Sequence, residues 1–145
     1  MKKYGVLLIV LTAALILAFT GCSGSSTNKL EDTKWVLDSY GDRDNLQNVI
    51  GDTEITATFN SEDNQVTGSA GCNSYFGDYE IDDGLSVGML GNTEMWCGEP
   101  EGRMDQETAY LKILQAAESY EVEGSTLTID CGDDVLIYTA SEAAN

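Results

Sequence analysis

The chain contains no histidine among its 145 residues. Without an imidazole, the Ser-His-Asp and Cys-His forms of nucleophilic catalysis are excluded, and so are metal sites with histidine ligands. The GxGxxG and GxxxxGK[ST] patterns that bind nucleotide phosphates are also absent from the sequence. The catalytic chemistry that remains open uses a pair of carboxylates, as in glycoside hydrolysis.

Basic residues are scarce as well, with 7 Lys and Arg against 25 Asp and Glu and a formal net charge of −18. A surface this acidic repels phosphate backbones and anionic lipid headgroups, so we expect no nucleic-acid partner. Two predicted loops concentrate oxygen-bearing side chains: Asp42, Asp44, Asn45, Asp130, Asp133 and Asp134. Neither loop has the spacing of a calcium-binding loop, so we favour solvation over cation binding and predict no metal and no cofactor.

The first 22 residues have the pattern of an exported lipoprotein. Two basic residues, Lys2 and Lys3, precede an uncharged apolar run from Val6 to Phe19, and small residues lead to Cys22. This order of basic, apolar and small residues is typical of a signal peptide. The apolar run is shorter than the roughly 20 residues of a transmembrane helix, which favours cleavage over an uncleaved N-terminal anchor.

The same pattern predicts how the chain is divided. We expect residues 1–21 to be removed as a lipoprotein signal peptide and Cys22 to carry the lipid. Two acyl chains on one residue are enough for stable membrane anchoring. The small polar residues that follow predict a flexible tether over 22–30. One folded domain is expected over 31–140, outside the cytoplasm at a membrane surface.

Short alternating segments between turn residues predict a domain that is mostly β. The clearest is Glu54–Asn60, which alternates in hydrophobicity. Its inward positions are Ile55, Ala57 and Phe59, and its outward positions are Thr56 and Thr58. Further strands are expected over Thr33–Tyr40, Gln65–Ala70, Ser74–Ile81, Leu85–Leu90, Thr93–Cys97, Glu121–Glu123, Thr126–Asp130 and Val135–Ala140. Residues 41–53 carry Gly, Asp and Asn and are expected to form a loop.

One helix is predicted, over about residues 104–119. Apolar residues from Met104 to Ala117 fall near one face, and Asp105 and Glu107 occupy the first turn, where the helix dipole favours acids. The predicted fold class is therefore α+β, mostly β, with a small antiparallel barrel-like sheet and one α-helix. The expected core residues are Trp35, Phe59, Tyr75, Tyr79, Leu111 and Leu114.

Three cysteines remain besides Cys22, namely Cys72, Cys97 and Cys131. Outside the cytoplasm, three thiols allow one disulfide and leave one cysteine over, and spacing alone does not decide the pairing. No CxxC pair is present, and histidine is absent. A zinc site and a redox-active pair are therefore both weakly supported.

Three segments together resemble the META domain family, which includes HslJ-like heat-shock lipoproteins. They are a Trp near the first strand, a Gly-Cys-Asn segment that leads to Tyr and Gly, and a Thr-x-Met-x-Cys segment followed by a helix with a Glu. The residues that carry the resemblance are Trp35, Gly71, Cys72, Asn73, Tyr75, Gly77, Thr93, Met95, Cys97 and Glu107. The match covers about residues 31–140 in the right order, although Cys131 and the acidic, glycine-rich stretch 98–102 depart from the family pattern.

The resemblance implies a compact, barrel-like α+β fold and an envelope protein connected with stress or drug tolerance. It implies no known reaction. Because Cys72 and Cys97 lie in the family-like segments, the resemblance also favours a disulfide between them. Gly71, Gly77 and Asn73 are expected to have structural roles, and Glu107 is more plausible as a structural charge at the helix start than as a catalytic acid.

Three functional hypotheses follow. The first is a non-catalytic, lipid-anchored module that binds another envelope component. The second is a small-molecule or lipid binder with a cavity inside the barrel, lined by an aromatic set. That set comprises Trp35, Tyr75, Phe76, Tyr79 and Trp96. The third is a carboxylate-based hydrolase that uses Glu107.

Overall fold

The computed structural model describes residues 29–141, and the predictions for Cys22, the signal peptide 1–21 and most of the tether lie outside the described residues. One helix, α1, spans Arg103–Leu114. The strands are β1 (Lys34–Asp42), β2 (Gln47–Asn48), β3 (Thr56–Asn60), β4 (Gln65–Ser69), β5 (Ser74–Ile81), β6 (Leu85–Val87), β7 (Gly91–Asn92), β8 (Ser119–Glu123), β9 (Thr126–Cys131) and β10 (Asp134–Ala140).

The strands form one antiparallel sheet in the order β6-β5-β4-β3-β1-β10-β9-β8, with β2 paired to β1 and β7 to β5. The two ends of this order approach each other, because the Leu85 N–H donates to the Glu118 carbonyl at 3.0 Å, just before β8 begins. The sheet is therefore nearly closed, with α1 against it, and the predicted barrel-like α+β fold is confirmed.

Strand β3 follows the predicted alternation in part. Ile55, Ala57 and Phe59 are fully buried, as expected. Thr56 was expected to point to solvent, but it is buried and its Oγ1 accepts the Ser69 N–H at 3.1 Å. The prediction for Thr56 is wrong because a hydroxyl that is bound to a neighbouring backbone can be buried at low cost.

The helix ends five residues before its predicted end. After Leu114 the chain continues in tight turns, with the Ala117 N–H donating to the Leu114 carbonyl at 3.2 Å. The Glu118 N–H then donates to the Asp130 carbonyl at 2.8 Å, which aligns the chain for β8. Leu111, a predicted core residue, is only half-buried because the buried face of α1 includes the polar residues Gln106 and Glu107.

The segment Thr93–Cys97 is not a strand, contrary to prediction. Pairing with β5 is limited to Gly91 and Asn92, which lie opposite Phe76 and Tyr75. Beyond these two residues, the segment is held mainly by hydrogen bonds to the Asn73 side chain and by the Cys72–Cys97 disulfide, rather than by pairing with a neighbouring backbone. Two smaller differences are the end of β6 at Val87 and the short strand β2 inside the predicted loop 41–53.

The interior contains a chain of tyrosine hydroxyls. The Tyr138 hydroxyl donates to the Tyr110 hydroxyl at 3.2 Å, and the Tyr110 and Tyr75 hydroxyls lie 2.7 Å apart. The Tyr75 hydroxyl donates to the Thr56 carbonyl at 2.9 Å. Burial raises the pKa of all three tyrosines well above its usual value, so they are neutral donors within a satisfied core.

The chain enters the domain along the turn between β3 and β4. Leu30, at the end of the predicted tether, is buried, and its carbonyl accepts the Trp35 indole N–H at 2.9 Å. Asp32 accepts the backbone N–H of Ser61 at 3.1 Å and its hydroxyl at 2.8 Å. Within residues 29–141, no helix has the length and the apolar content needed to cross a membrane.

Asp32 should make this entry point sensitive to acid. The hydrogen bonds from Ser61 are the main cause that lowers the pKa of Asp32 to about 2. A lowered pKa in the folded state gives stability that is present above the pKa of the unfolded chain and is lost as the pH falls toward 2. We expect Asp32→Asn to make the melting temperature fall less steeply than wild type between pH 4 and pH 2. Equal slopes for the two proteins in a thermal titration would contradict this.

Candidate functional site

Most of the family-like residues converge at one end of the sheet, where β5 begins, whereas Trp35 lies in β1 and its indole N–H donates to Leu30 on the tether side. We call the residues Gly71–Asn73, Thr93–Cys97 and Arg103–Glu107 the motif cluster. A disulfide joins Cys72 to Cys97, as the resemblance implied, with a Cα–Cα distance of 5.9 Å. Three segments that are distant in sequence are therefore held together at one place.

Glu107 anchors the first of these segments to the helix. Its Oε2 accepts the backbone N–H groups of Cys72 at 3.1 Å and of Asn73 at 2.7 Å. Its Oε1 accepts the side-chain amide of Asn73 at 2.6 Å. The buried carboxylate therefore accepts the hydrogen bonds of a loop whose backbone N–H groups have no partner in the sheet. This arrangement supports the structural role expected for Glu107.

Asn73 connects this loop to the segment Thr93–Cys97. Its Oδ1 accepts the Thr93 hydroxyl at 2.7 Å and the Met95 N–H at 2.8 Å. Its Nδ2 donates to the Met95 carbonyl at 3.0 Å as well as to Glu107. The buried amide thus replaces the β-ladder that this segment lacks, and both ends of the amide are satisfied.

Two further residues of α1 hold neighbouring loops, and the sequence analysis missed both. The Arg103 guanidinium donates through Nε to the Gly71 carbonyl at 3.0 Å and through Nη1 to the Glu99 carbonyl at 2.9 Å. The buried Gln106 side chain accepts the Ile50 N–H at 2.7 Å and donates to the Thr53 hydroxyl at 3.0 Å. Arg103 precedes the predicted helix and had no signal in the sequence, whereas Gln106 is adjacent to Glu107, a residue of the family pattern.

Two glycines of the family pattern have steric roles. Gly71 has φ +110°, a conformation that side chains rarely adopt. Gly77 lies under the bulge between β6 and β7, where a Cβ would be 2.6 Å from Leu90 Cδ2 and 3.0 Å from the Met89 carbonyl oxygen. Glycine at position 77 therefore permits the close approach of this edge to β5.

The aromatic residues proposed to line a ligand cavity are not brought together. Trp35, Tyr75 and Tyr79 are buried in the core, whereas Phe76 and Trp96 are exposed. Tyr79 packs edge-on against Phe59 with ring centroids 5.2 Å apart. The inward-facing aromatics thus pack against one another, and the outward-facing ones belong to the surface.

The two acidic loops lie side by side, since Asp42 is opposite Asp134 in the β1–β10 pairing. Arg43 forms an ion pair with Asp130, which joins the two loops. Across residues 29–141, no group of three or more His, Cys, Asp or Glu side chains is arranged to hold a metal ion.

Cys131 is the free cysteine of the described domain, and it is buried. Burial, followed by the nearby Asp134 carboxylate, raises its thiol pKa to about 12. Because the thiolate is the reactive form, we expect no alkylation of Cys131 by iodoacetamide at pH 8 in the folded protein and one equivalent after unfolding without reductant. Reduction should then release two more thiols from Cys72 and Cys97. Rapid native labelling of Cys131, measured by peptide mass spectrometry, would contradict this.

Comparison with known proteins places the chain in a family. The family model described as META domain matches residues 28–143. No curated protein matches the chain.

Three solved structures are similar to it. A protein from Burkholderia xenovorans, solved by NMR, is 26% identical with a TM-score of 0.67, and the match covers 99% of this chain and 100% of that one. A second NMR structure is 21% identical with a TM-score of 0.60, covering 78% and 92%. A crystal structure of a DUF4847 family protein from Bacteroides vulgatus ATCC 8482 is 12% identical with a TM-score of 0.56, covering 79% and 96%. The last two likenesses concern the fold alone.

Proposed function

Since this chain belongs to the META domain family, we propose that it is a non-catalytic binding module of the cell envelope. In this proposal, lipid on Cys22 holds the domain at a membrane surface outside the cytoplasm. The domain then supports envelope integrity under stress or drug exposure by binding another envelope component.

The observation that carries the non-catalytic part of the proposal is the state of Glu107. Both of its oxygens accept hydrogen bonds from the Cys72–Asn73 loop, and the side chain is buried. A general acid needs access to the substrate and a proton to exchange with it. Throughout residues 29–141, each buried side-chain nitrogen or oxygen also has a hydrogen-bond partner. The polar groups of the motif cluster are thus engaged in holding loops.

What these polar groups hold in place supports a binding role. The segment Thr93–Cys97 is fixed at Asn73 and at the disulfide, yet Met95 and Trp96 within it are 58% and 81% exposed. Large apolar side chains on a rigid exposed segment are typical of interaction surfaces. The lipid anchor is supported by the signal pattern that ends at Cys22.

A deletion strain tests this function. We expect loss of the gene to increase killing by envelope-active antibiotics after heat shock. The wild-type chain should restore survival and should label with radioactive palmitate in the membrane fraction. The matched variant Cys22→Ser should fold equally well, lose the label and fail to restore survival. Unchanged survival of the deletion strain, or full rescue by the unlipidated variant, would refute the proposal.

A further inference from the structure

Four large apolar side chains lie exposed along one edge of the sheet. Phe76 is 57% exposed, Met89 88%, Met95 58% and Trp96 81%. We call these four residues the Trp96 surface. Exposed apolar residues are common when scattered singly, so their significance depends on whether they are grouped.

Hydrogen bonds and the disulfide place these residues on β5 and on the chain segment that runs beside it. Gly91 lies opposite Phe76, and the Thr93 N–H donates to the Ser74 carbonyl at 3.0 Å. Farther along, Met95 bonds to Asn73, so the segment from Met89 to Cys97 runs antiparallel to the chain from Gly77 to Cys72.

Both exposed rings rest on nearby glycines. A Cβ on Gly91 would lie 2.9 Å from Cζ of Phe76, and a Cβ on Gly98 would lie 2.8 Å from Cη2 of Trp96. The rings therefore lie against backbone while their outer faces remain open. Rigid aromatic rings displayed in this way lose little conformational entropy on binding.

Met95 and Trp96 lie far from the point where the tether enters. The tether side of the domain is marked by Glu31, which accepts the Tyr79 hydroxyl at 2.6 Å near the end of β5. Cys72 and its disulfide partner precede the start of β5. Strand β5 runs five residue steps from Ser74 to Tyr79, which corresponds to about 17 Å. Met95 and Trp96 are thus at the end of the domain away from the tether, whereas Met89, whose carbonyl oxygen faces Gly77, lies nearer to it.

Acidic residues flank Met95 and Trp96 in the chain. Glu94, Glu99 and Glu101 lie within six residues of Met95 and Trp96 in sequence, and all three are exposed. From Cys72 to Asp105 the sequence contains one base, Arg103, and its guanidinium is bound to the Gly71 and Glu99 carbonyls. The negative field of this rim is therefore not neutralised locally, and it favours a positively charged partner.

We propose that the Trp96 surface docks a protein partner that presents an apolar pocket rimmed by Lys and Arg. This inference rests on the proposed function and names the surface and the chemistry of the partner. The acidic rim argues against anionic lipid headgroups and against a second copy of this chain, because both are negative. The partner's pocket would take the indole of Trp96, with Met95 adapting around it.

Photo-crosslinking in the producing cells tests the surface directly. The full, lipidated chain would carry p-benzoylphenylalanine in place of Trp96, with Ile81→p-benzoylphenylalanine as the matched control. Ile81 is also apolar and 40% exposed, but it lies at the far end of β5. We expect irradiation to give one protein adduct from position 96, with a yield at least tenfold above that from position 81. The adduct should contain a basic partner, identified by mass spectrometry.

A charge variant tests the rim. Glu94→Gln, Glu99→Gln and Glu101→Gln together should leave the melting temperature unchanged and lower the adduct yield from position 96 about tenfold. An unchanged yield, an acidic partner, a lipid adduct or a dimer of this chain would overturn the proposal. An adduct from position 81 with none from 96 would refute the surface while leaving the proposed function standing. Adduct formation at neither position refutes the surface, and together with unchanged antibiotic survival of the deletion strain it refutes both.

Discussion

Replacing Asn73 with Asp is expected to lower the free energy of unfolding by about 4 kcal/mol. The substitution hardly changes the size of the side chain, but it removes the amide that donates to Glu107 and to the Met95 carbonyl. It also places a second carboxylate where Nδ2 now lies 2.6 Å from the Glu107 carboxylate, and two buried negative charges at that distance repel strongly. Chemical denaturation of the purified protein measures the loss.

A second substitution, at Glu107, distinguishes charge repulsion from a general loss of stability. In Glu107→Gln alone, the new side-chain NH2 group faces the NH2 group of Asn73, so that two donors meet without an acceptor. This should destabilise the protein by about 2 kcal/mol. Combined with Asn73→Asp, the new glutamine amide faces the new carboxylate and restores a donor–acceptor pair. We therefore expect the double variant to be more stable than Asn73→Asp alone, with a coupling energy of about 2 kcal/mol.

Asn45→Asp is a suitable control, because it introduces the same charge in an exposed loop. We expect it to change the free energy of unfolding by less than about 0.5 kcal/mol. If Asn73→Asp were as mild as this control, or if the two cluster substitutions were additive, Glu107 and Asn73 would not hold the loop as described.

Removing the disulfide should have the second largest effect. Cys72 and Cys97 are 25 residues apart, and closing a loop of that length stabilises a fold by about 3 kcal/mol in the chain-entropy treatment. We expect the double variant Cys72→Ala/Cys97→Ala to melt roughly 10 °C below wild type in calorimetry. The hydrogen bonds of Asn73 remain in this variant, so it should still unfold in one cooperative transition.

Reductant provides the matched control for this prediction. Adding dithiothreitol should lower the melting temperature of the wild type to that of the double variant and leave the double variant unchanged. If wild type and variant melted at the same temperature without reductant, the disulfide would contribute no stability.

Much of the fold could be predicted from local pattern. The alternation of Ile55, Ala57 and Phe59 places β3 correctly, because one buried face imposes a period of two. The limits of the helix were harder to predict. The apolar face continues to Ala117, yet α1 ends at Leu114, and the Glu118 N–H donates to the Asp130 carbonyl instead of continuing the helix. Asp130 belongs to β9, so the residues around Leu114 give no indication of this hydrogen bond.

The sequence predicts which residues form the site but not how they contact one another. The family-like pattern identified Asn73 and Glu107, whereas their contact joins positions 34 residues apart. Thr93–Cys97 has residues that suit a strand, but the Asn73 amide and the disulfide take the place of a strand partner. The exposure of Trp96 was also unpredictable, because an aromatic residue is buried in most contexts.

Hydrogen exchange at the Cys72 and Asn73 amides tests most directly whether Glu107 is a structural anchor. Both N–H groups donate to the buried Glu107 Oε2. They should therefore exchange as slowly as the amides of β3 in the native protein. In the Glu107→Gln variant the β3 amides should speed up only as far as the loss of about 2 kcal/mol in global stability requires, and the Cys72 and Asn73 amides should speed up by a clearly larger factor. Fast exchange of both amides in the wild type would contradict this role and would leave Glu107 available for other chemistry.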